Sequence, residues 1–158
     1  MPGTPNTTNT PLSQATLFNK IGIGKYNMTV GITLANVTAA AQFHITPGHK
    51  GRITKVTYVT IIPAATAGRL ATLTPSIGGV NVTGGALALN TVNCDTRDEE
   101  VPGTPITGNN SFTDSQTITF TGSAVTAFAE GTGMVIVELV NDDTNEVLAI
   151  ANDGLRNP

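Results

Sequence analysis

The chain has 158 residues, enough for one domain with a proper core, and carries 8 Lys+Arg against 11 Asp+Glu for a formal charge of -3. Its charged fraction of 12% is about half the roughly 25% usual for globular proteins, so the surface must be built mainly from Thr, Asn, Ser and Gly. Such a surface has no long-range attraction for nucleic acid, which argues against DNA or RNA as the main partner, and its weak self-repulsion permits dense association of copies.

A single cysteine, Cys94, excludes an internal disulfide and a Cys-based zinc site, and is expected to be a small buried side chain. The first residues, MPGTPNTTNTPLSQ, lack the basic region and apolar run of a signal peptide, so synthesis in a host cytoplasm is the expectation. No apolar run approaches the roughly 20 residues of a membrane span. The Asn-x-Thr/Ser triplets at Asn27, Asn36, Asn81 and Asn109 are a by-product of Thr and Asn richness rather than glycan acceptors.

In chain order, residues 1–14 are Pro, Thr, Asn and Gly around Leu12, too polar to fold alone. Leu17, Phe18, Ile21 and Ile23 follow as isolated apolar anchors. An extended N-terminal arm over 1–23 that orders on a neighbouring subunit is expected, with a frayed terminus as the alternative. Gly22-x-Gly24 is not a nucleotide loop, since no strand precedes it and no helix pattern follows. Residues 25–35 and 39–46 alternate as strands, with room for a short helical turn over 35–41, and Pro47-Gly48 ends the second strand. His44 and His49 have no carboxylate placed beside them by sequence and read as structural or solvated.

Lys50, Arg52 and Lys55 form the local basic cluster, three of the chain's eight cations. They read either as a solvated strand edge that discourages wrong pairing or as an ion-pairing patch for an acidic partner surface. Residues 53–62 are a long strand, with Thr54, Val56, Tyr58, Thr60 and Ile62 on one face and Ile53, Lys55, Thr57, Val59 and Ile61 on the other. After Pro63 and a small-residue loop, residues 69–77 form a second strand in which Pro75 marks an edge or a bulge. Gly78-Gly79 signals a tight turn into Val80-Asn81-Val82, and Gly84-Gly85 launches a strand over 86–89; these glycines are expected to include positive φ angles.

Residues 93–103 carry Asp95, Arg97, Asp98, Glu99 and Glu100. The run lacks the Asp-x-Asp-x-Asp-Gly spacing of a calcium loop, so a solvated loop is expected in preference to a cation site. Pro102 and Pro105 bracket an extended stretch, and 108–110 is a turn. Residues 116–121 are a strand with Ile118 and Phe120 on one side and threonines on the other. Residues 133–140, GMVIVELV, are apolar on both faces apart from Glu138, the mark of a central strand. A hairpin loop at 141–145 leads to 146–151 as its antiparallel partner, and 152–158 form an aperiodic tail. The chain therefore divides into an arm (1–23), a domain (24–151) and a tail (152–158). The fold class is all-β, a β-sandwich of jelly-roll type with about eight strands.

The succession RITKVTYVTI, a Gly/Ala loop, LATLTPSIGGVNVTGGALAL, and later SQTITFTGSAVTAFAEGTGMVIVELV resembles the small Thr/Gly-rich structural proteins of tailed bacteriophage virions. Within these it is similar to the decoration, or cement, proteins of capsids, over residues 52–140. Ile77-Gly78-Gly79, Gly84-Gly85-Ala86-Leu87 and Glu130-Gly131-Thr132 carry the resemblance. It implies a homotrimer on the capsid exterior, bound where subunits of the major capsid protein meet. The isolated anchors Leu12, Leu17, Phe18, Ile21 and Ile23 and the basic residues Lys50, Arg52 and Lys55 are the expected contact residues. A receptor- or glycan-binding module of a head fibre, baseplate or tail fibre is the alternative, suggested by Asn- and Thr-rich loops. Sugar sites favour aromatic platforms, and no Trp, 2 Tyr and 5 Phe weigh against that reading. No nucleophile elbow, paired histidines or phosphate loop appears, so no catalytic residue, cofactor or metal is expected.

Overall fold

The computed structural model describes residues 24–142. Ten strands are present: β1 (Lys25–Thr33), β2 (Gln42–Ile45), β3 (Gly51–Ile62), β4 (Leu70–Ile77), β5 (Val80–Asn81), β6 (Leu87–Asn90), β7 (Glu100–Pro102), β8 (Ser111–Phe112), β9 (Ile118–Thr126) and β10 (Thr132–Asn141). They form two antiparallel sheets. One runs β1-β10-β3-β7 with β8 also on β3, and the other runs β2-β9-β4-β5 with β6 also on β4. The first strand lies beside the last and the second beside the penultimate, the wrapped order of a jelly roll. Eight strand positions are filled, because β5 with β6 and β7 with β8 each share one position beside β4 and β3. The expected sandwich of about eight strands is thus the observed fold, and the helical turn is a single 3-10 turn at Leu34–Asn36.

β10 holds the centre of its sheet, as its two apolar faces require. Val135, Val137 and Leu139 point into the core fully buried, while Met134, Ile136 and Val140 lie half-buried on the outer face. β1 and β3 occupy its two edges along its whole length, which leaves no edge for a hairpin partner. Residues 146–151, expected as an antiparallel partner of this strand, lie outside the described residues, as do the arm and the tail.

The core between the sheets is closed by Tyr58, Phe120, Ile53, Leu73, Leu87, Leu89, Ile118 and the inner side chains of β10, all essentially inaccessible. Tyr58 needs a gap to fit. Gly133 supplies it, since a Cβ there would stand 2.4 Å from the tyrosine hydroxyl.

Two departures from simple alternation have local causes. In β3 the pairing jumps from Glu138↔Lys55 to Leu139↔Ile53, so Thr54 is the extra residue of a β-bulge. Ile53 consequently joins Val56, Tyr58 and Thr60 inside instead of facing out with Lys55. In β4, Pro75 lies in an interior strand rather than at an edge. Its carbonyl accepts from Val82 N–H at 2.9 Å, and the reciprocal bond that proline cannot donate falls at the break between β6 and β5 rather than within either pairing. Gly78 and Gly79 turn β4 into β5 with φ of 57° and 84°, and Gly84 and Gly85 have φ of 101° and 74°, as expected.

Candidate functional site

The polar constellation closest to a site lies on the outer face of the β1-β10-β3 sheet, around the cations expected to make contacts. The bulge at Thr54 brings its hydroxyl to Glu138, donating to the carboxylate oxygen Oε1 at 2.5 Å and to the Glu138 carbonyl at 3.2 Å. Lys25 of β1 reaches the same Oε1 at 3.1 Å. The Thr54 hydrogen bond, then the Lys25 ammonium, hold the Glu138 carboxyl below its ordinary value. Lys55 stands opposite Glu138 in register, and with Asn27, Thr57, Glu100, Ile136 and Glu138 it lines a shallow depression.

At the start of β3, Arg52 pairs with Asp142 at 3.2 Å. The Lys50 carbonyl receives the backbone N–H of Asp142 at 3.1 Å and the Nδ1–H of His49 at 2.9 Å. That tautomer leaves Nε2 of His49 to accept from the Tyr26 hydroxyl, and the His49 ring packs edge-on to Tyr26 and tilted against Phe112. His44 bonds across to Thr119 at 3.1 Å. Both histidines are thus hydrogen-bonded to neighbours within the domain.

The basic cluster therefore differs from the expected solvated strand edge. β3 is flanked by β10 on one side and by β7 and β8 on the other, so its cations stand on an interior strand. They also face carboxylates of their own chain, Asp142 for Arg52 and Glu138 for Lys55. Leu12, Leu17, Phe18, Ile21 and Ile23 lie outside the described residues.

The acidic run is a loop exposed from Asp95 to Asp98 and half-buried at Glu99, and its last carboxylate, Glu100, begins β7. Thr96 caps Asp95 at 2.8 Å, Asp98 takes φ of 64° while its N–H bonds the Thr60 carbonyl at 2.8 Å, and Thr60 N–H bonds Glu99 O at 3.0 Å. Among the described residues, no three of His, Cys, Asp and Glu gather around a common point that could hold a metal. Cys94, beside this loop, is fully buried, and burial pushes its thiol up to about 11.

Two features carried no sequence signal. Glu130 accepts at Oε1 from Ala65 N–H at 3.0 Å, Thr66 N–H at 2.8 Å and Thr66 Oγ1 at 2.8 Å, and the Thr66 hydroxyl is the leading reason its carboxyl is held low. These partners are more than sixty positions apart in the chain, beyond any spacing motif. The second is a set of exposed aliphatic residues, Ile61, Ile62, Leu70, Val92 and Val125, each of which stands alone in the sequence among polar neighbours or at a strand end.

No protein-family model matches the chain, and a search of curated proteins finds no match. Among solved structures, the chain is similar to the VP2 subviral particle of infectious bursal disease virus, with a TM-score of 0.34 and 11% identity over 77% of this chain and 34% of that one. It thus spans about a third of that protein's length. It is also similar to the disulfide-linked pili of Bacillus endospore appendages, with a TM-score of 0.30 and 20% identity over 75% of this chain and 88% of that one.

Proposed function

We propose that the chain is a structural subunit of a tailed-bacteriophage virion, a decoration protein on the capsid exterior that bridges neighbouring copies of the major capsid protein and acts as a homotrimer. The observation that carries the reading is the outer face of the β1-β10-β3 sheet. It sets half-buried Val59, Met134 and Ile136 and buried Thr57 among Thr29 and Gly31, with its ion pairs at one end. A partly apolar face of this kind, broken only by the shallow depression beside Glu138, suits stacking against another protein, whereas small-molecule sites are deeper and gather convergent polar groups.

Electron microscopy of particles assembled with and without the protein tests the reading: extra density at the junctions between shell subunits is expected, and its absence at saturating protein overturns it. Self-association that relies on apolar and Thr-rich surface persists at 1 M salt, where the Debye length is about 3 Å. Sedimentation as a monomer at micromolar concentration in both low and high salt overturns the trimer.

A further inference from the structure

Six large apolar side chains are exposed among the described residues, and five of them, Ile61, Ile62, Leu70, Val92 and Val125, sit at one end of the sandwich, with exposures from 37% to 82%. Ile61 and Ile62 end β3, Leu70 begins β4, Val92 follows β6, and Val125 precedes the last residue of β9. The loops at this tip are tied to one another by Ala64 N–H to Cys94 O at 2.8 Å, Thr91 Oγ1 to Thr66 O at 2.9 Å and Arg69 Nη1 to Ala127 O at 3.1 Å. Glu130 is engaged by Thr66 and Ala65, so two of the tip's charges are occupied within it and aliphatic surface is left facing out. Beside it, joined through the Ala64–Cys94 hydrogen bond, runs the loop that carries Asp95, Asp98 and Glu99 with Arg97 among them.

The described residues begin and end at the opposite pole, where Asn141 N–H bonds Gly24 O at 2.7 Å. From there to the tip, along the β1–β10 ladder, is about 30 Å at roughly 3.3 Å per residue. Ile23, Ile21, Phe18 and Leu17 lie within seven positions of Gly24, a reach of at most about 24 Å even if the chain turned straight back. They cannot cover their own tip. The tip of a second copy is not so limited. Lys20, the one charged side chain of residues 1–23, would meet the acidic rim.

We propose that the aliphatic tip is the docking surface for the arm of a second copy, with Leu17, Phe18, Ile21 and Ile23 covering Ile62, Leu70, Val92 and Val125 head to tail. Such a heterologous contact joins different surfaces of the two partners and closes into a ring where the rotation permits. It supplies a mechanism for the homotrimer in the proposed function and rests on that reading for ring closure alone; the contact itself needs no shell.

Complementation tests it. In the full chain, Val92→Asp with Val125→Asp alters the tip, and Phe18→Asp with Ile21→Asp alters the arm; the tip substitutions fall on residues 79% and 82% exposed, and thermal unfolding checks that both variants keep the fold. Analytical ultracentrifugation is expected to show the parent assembling with concentration and each variant associating at least tenfold more weakly. An equimolar mixture should give a dimer of one variant with the other, because one intact arm meets one intact tip. A parent that stays monomeric, variants that assemble like the parent, or a mixture that stays monomeric would each overturn the contact. Particle occupancy, measured separately, reports on the decoration reading, so the two can fail independently.

Discussion

Gly84 sits in a clamp between two segments that belong to neither sheet. Thr83 N–H bonds Gly108 O at 2.9 Å, Thr107 N–H bonds Thr83 O at 2.8 Å, Gly85 N–H bonds Thr104 O at 2.8 Å and Thr104 N–H bonds Ala86 O at 3.0 Å. A Cβ on Gly84 would lie 2.0 Å from Pro105 O and 2.7 Å from its carbonyl carbon, so the two backbones must part. Gly84→Ala then forces a side chain into a φ of 101°, at about 1–3 kcal/mol, and loosens at least two clamp hydrogen bonds, at about 0.5–1.5 kcal/mol each. Restricting the unfolded chain returns about 0.4–1 kcal/mol. The expected loss is about 3 kcal/mol. Gly79→Ala is the control: its φ is 84°, but an added Cβ meets nothing within 4 Å, so about 1 kcal/mol is expected. Urea unfolding, read as a shift of midpoint at constant slope, measures both. Equal losses in the two variants would refute the close-approach argument and leave backbone conformation as the whole effect.

The Tyr58 hydroxyl is buried near that of Thr60 but not at good hydrogen-bonding geometry, so Tyr58→Phe should leave the fold intact and raise stability by about 1 kcal/mol in the same urea assay; a loss of that size would mean that Thr60 satisfies the hydroxyl. Cys94, fully buried and with its thiol pushed up to about 11, should react with a disulfide reagent at pH 8 only as fast as the protein opens, and rapid native labelling would contradict that burial. Glu138 is held below its ordinary value of 4.5, so its contribution is present in full above about pH 4.5 and is lost as pH falls through the depressed value. The Lys25–Glu138 pair is half exposed, so the contribution is under about 1 kcal/mol. Comparing parent and Glu138→Gln from pH 6 to pH 3 should show the stability gap closing in acid, and a constant gap would remove the carboxylate from the account.

The parts legible in the sequence were those set by short-range pattern. GMVIVELV announced a strand buried on both faces, and its place between β1 and β3 follows from needing cover on each side and a neighbour at each edge. Gly78-Gly79 and Gly84-Gly85 announced positive φ because no other residue type occupies it so readily. What escaped depended on long-range pairing. The bulge at Thr54 turns Ile53 inward because of a register jump against Glu138, more than eighty positions away. β8 is two residues long and has no period to detect. The pairing of β10 with β1 and β3, the first and third strands, likewise joins stretches far apart in the chain. The basic cluster was visible, but Glu138 and Asp142, which face it, were not. The tip was invisible for the same reason, since its exposed aliphatic residues come from four separate stretches.

The adjacency of Gly24 and Asn141 also decides how the domain bears tension. The strands at the two ends of the described residues are neighbours, running antiparallel through nine paired positions from Lys25↔Val140 to Thr33↔Thr132, and Gly24 and Asn141 lie at the same pole. A pull between the two termini loads that ladder one rung at a time, and the strands peel apart like a zipper. A pull between the termini and the far tip runs along the strands and loads all the rungs together, in shear. In a head-to-tail assembly, where the arm grips the next tip, force would pass along this second path, so a joined array would load each subunit in shear and spare it the peeling geometry.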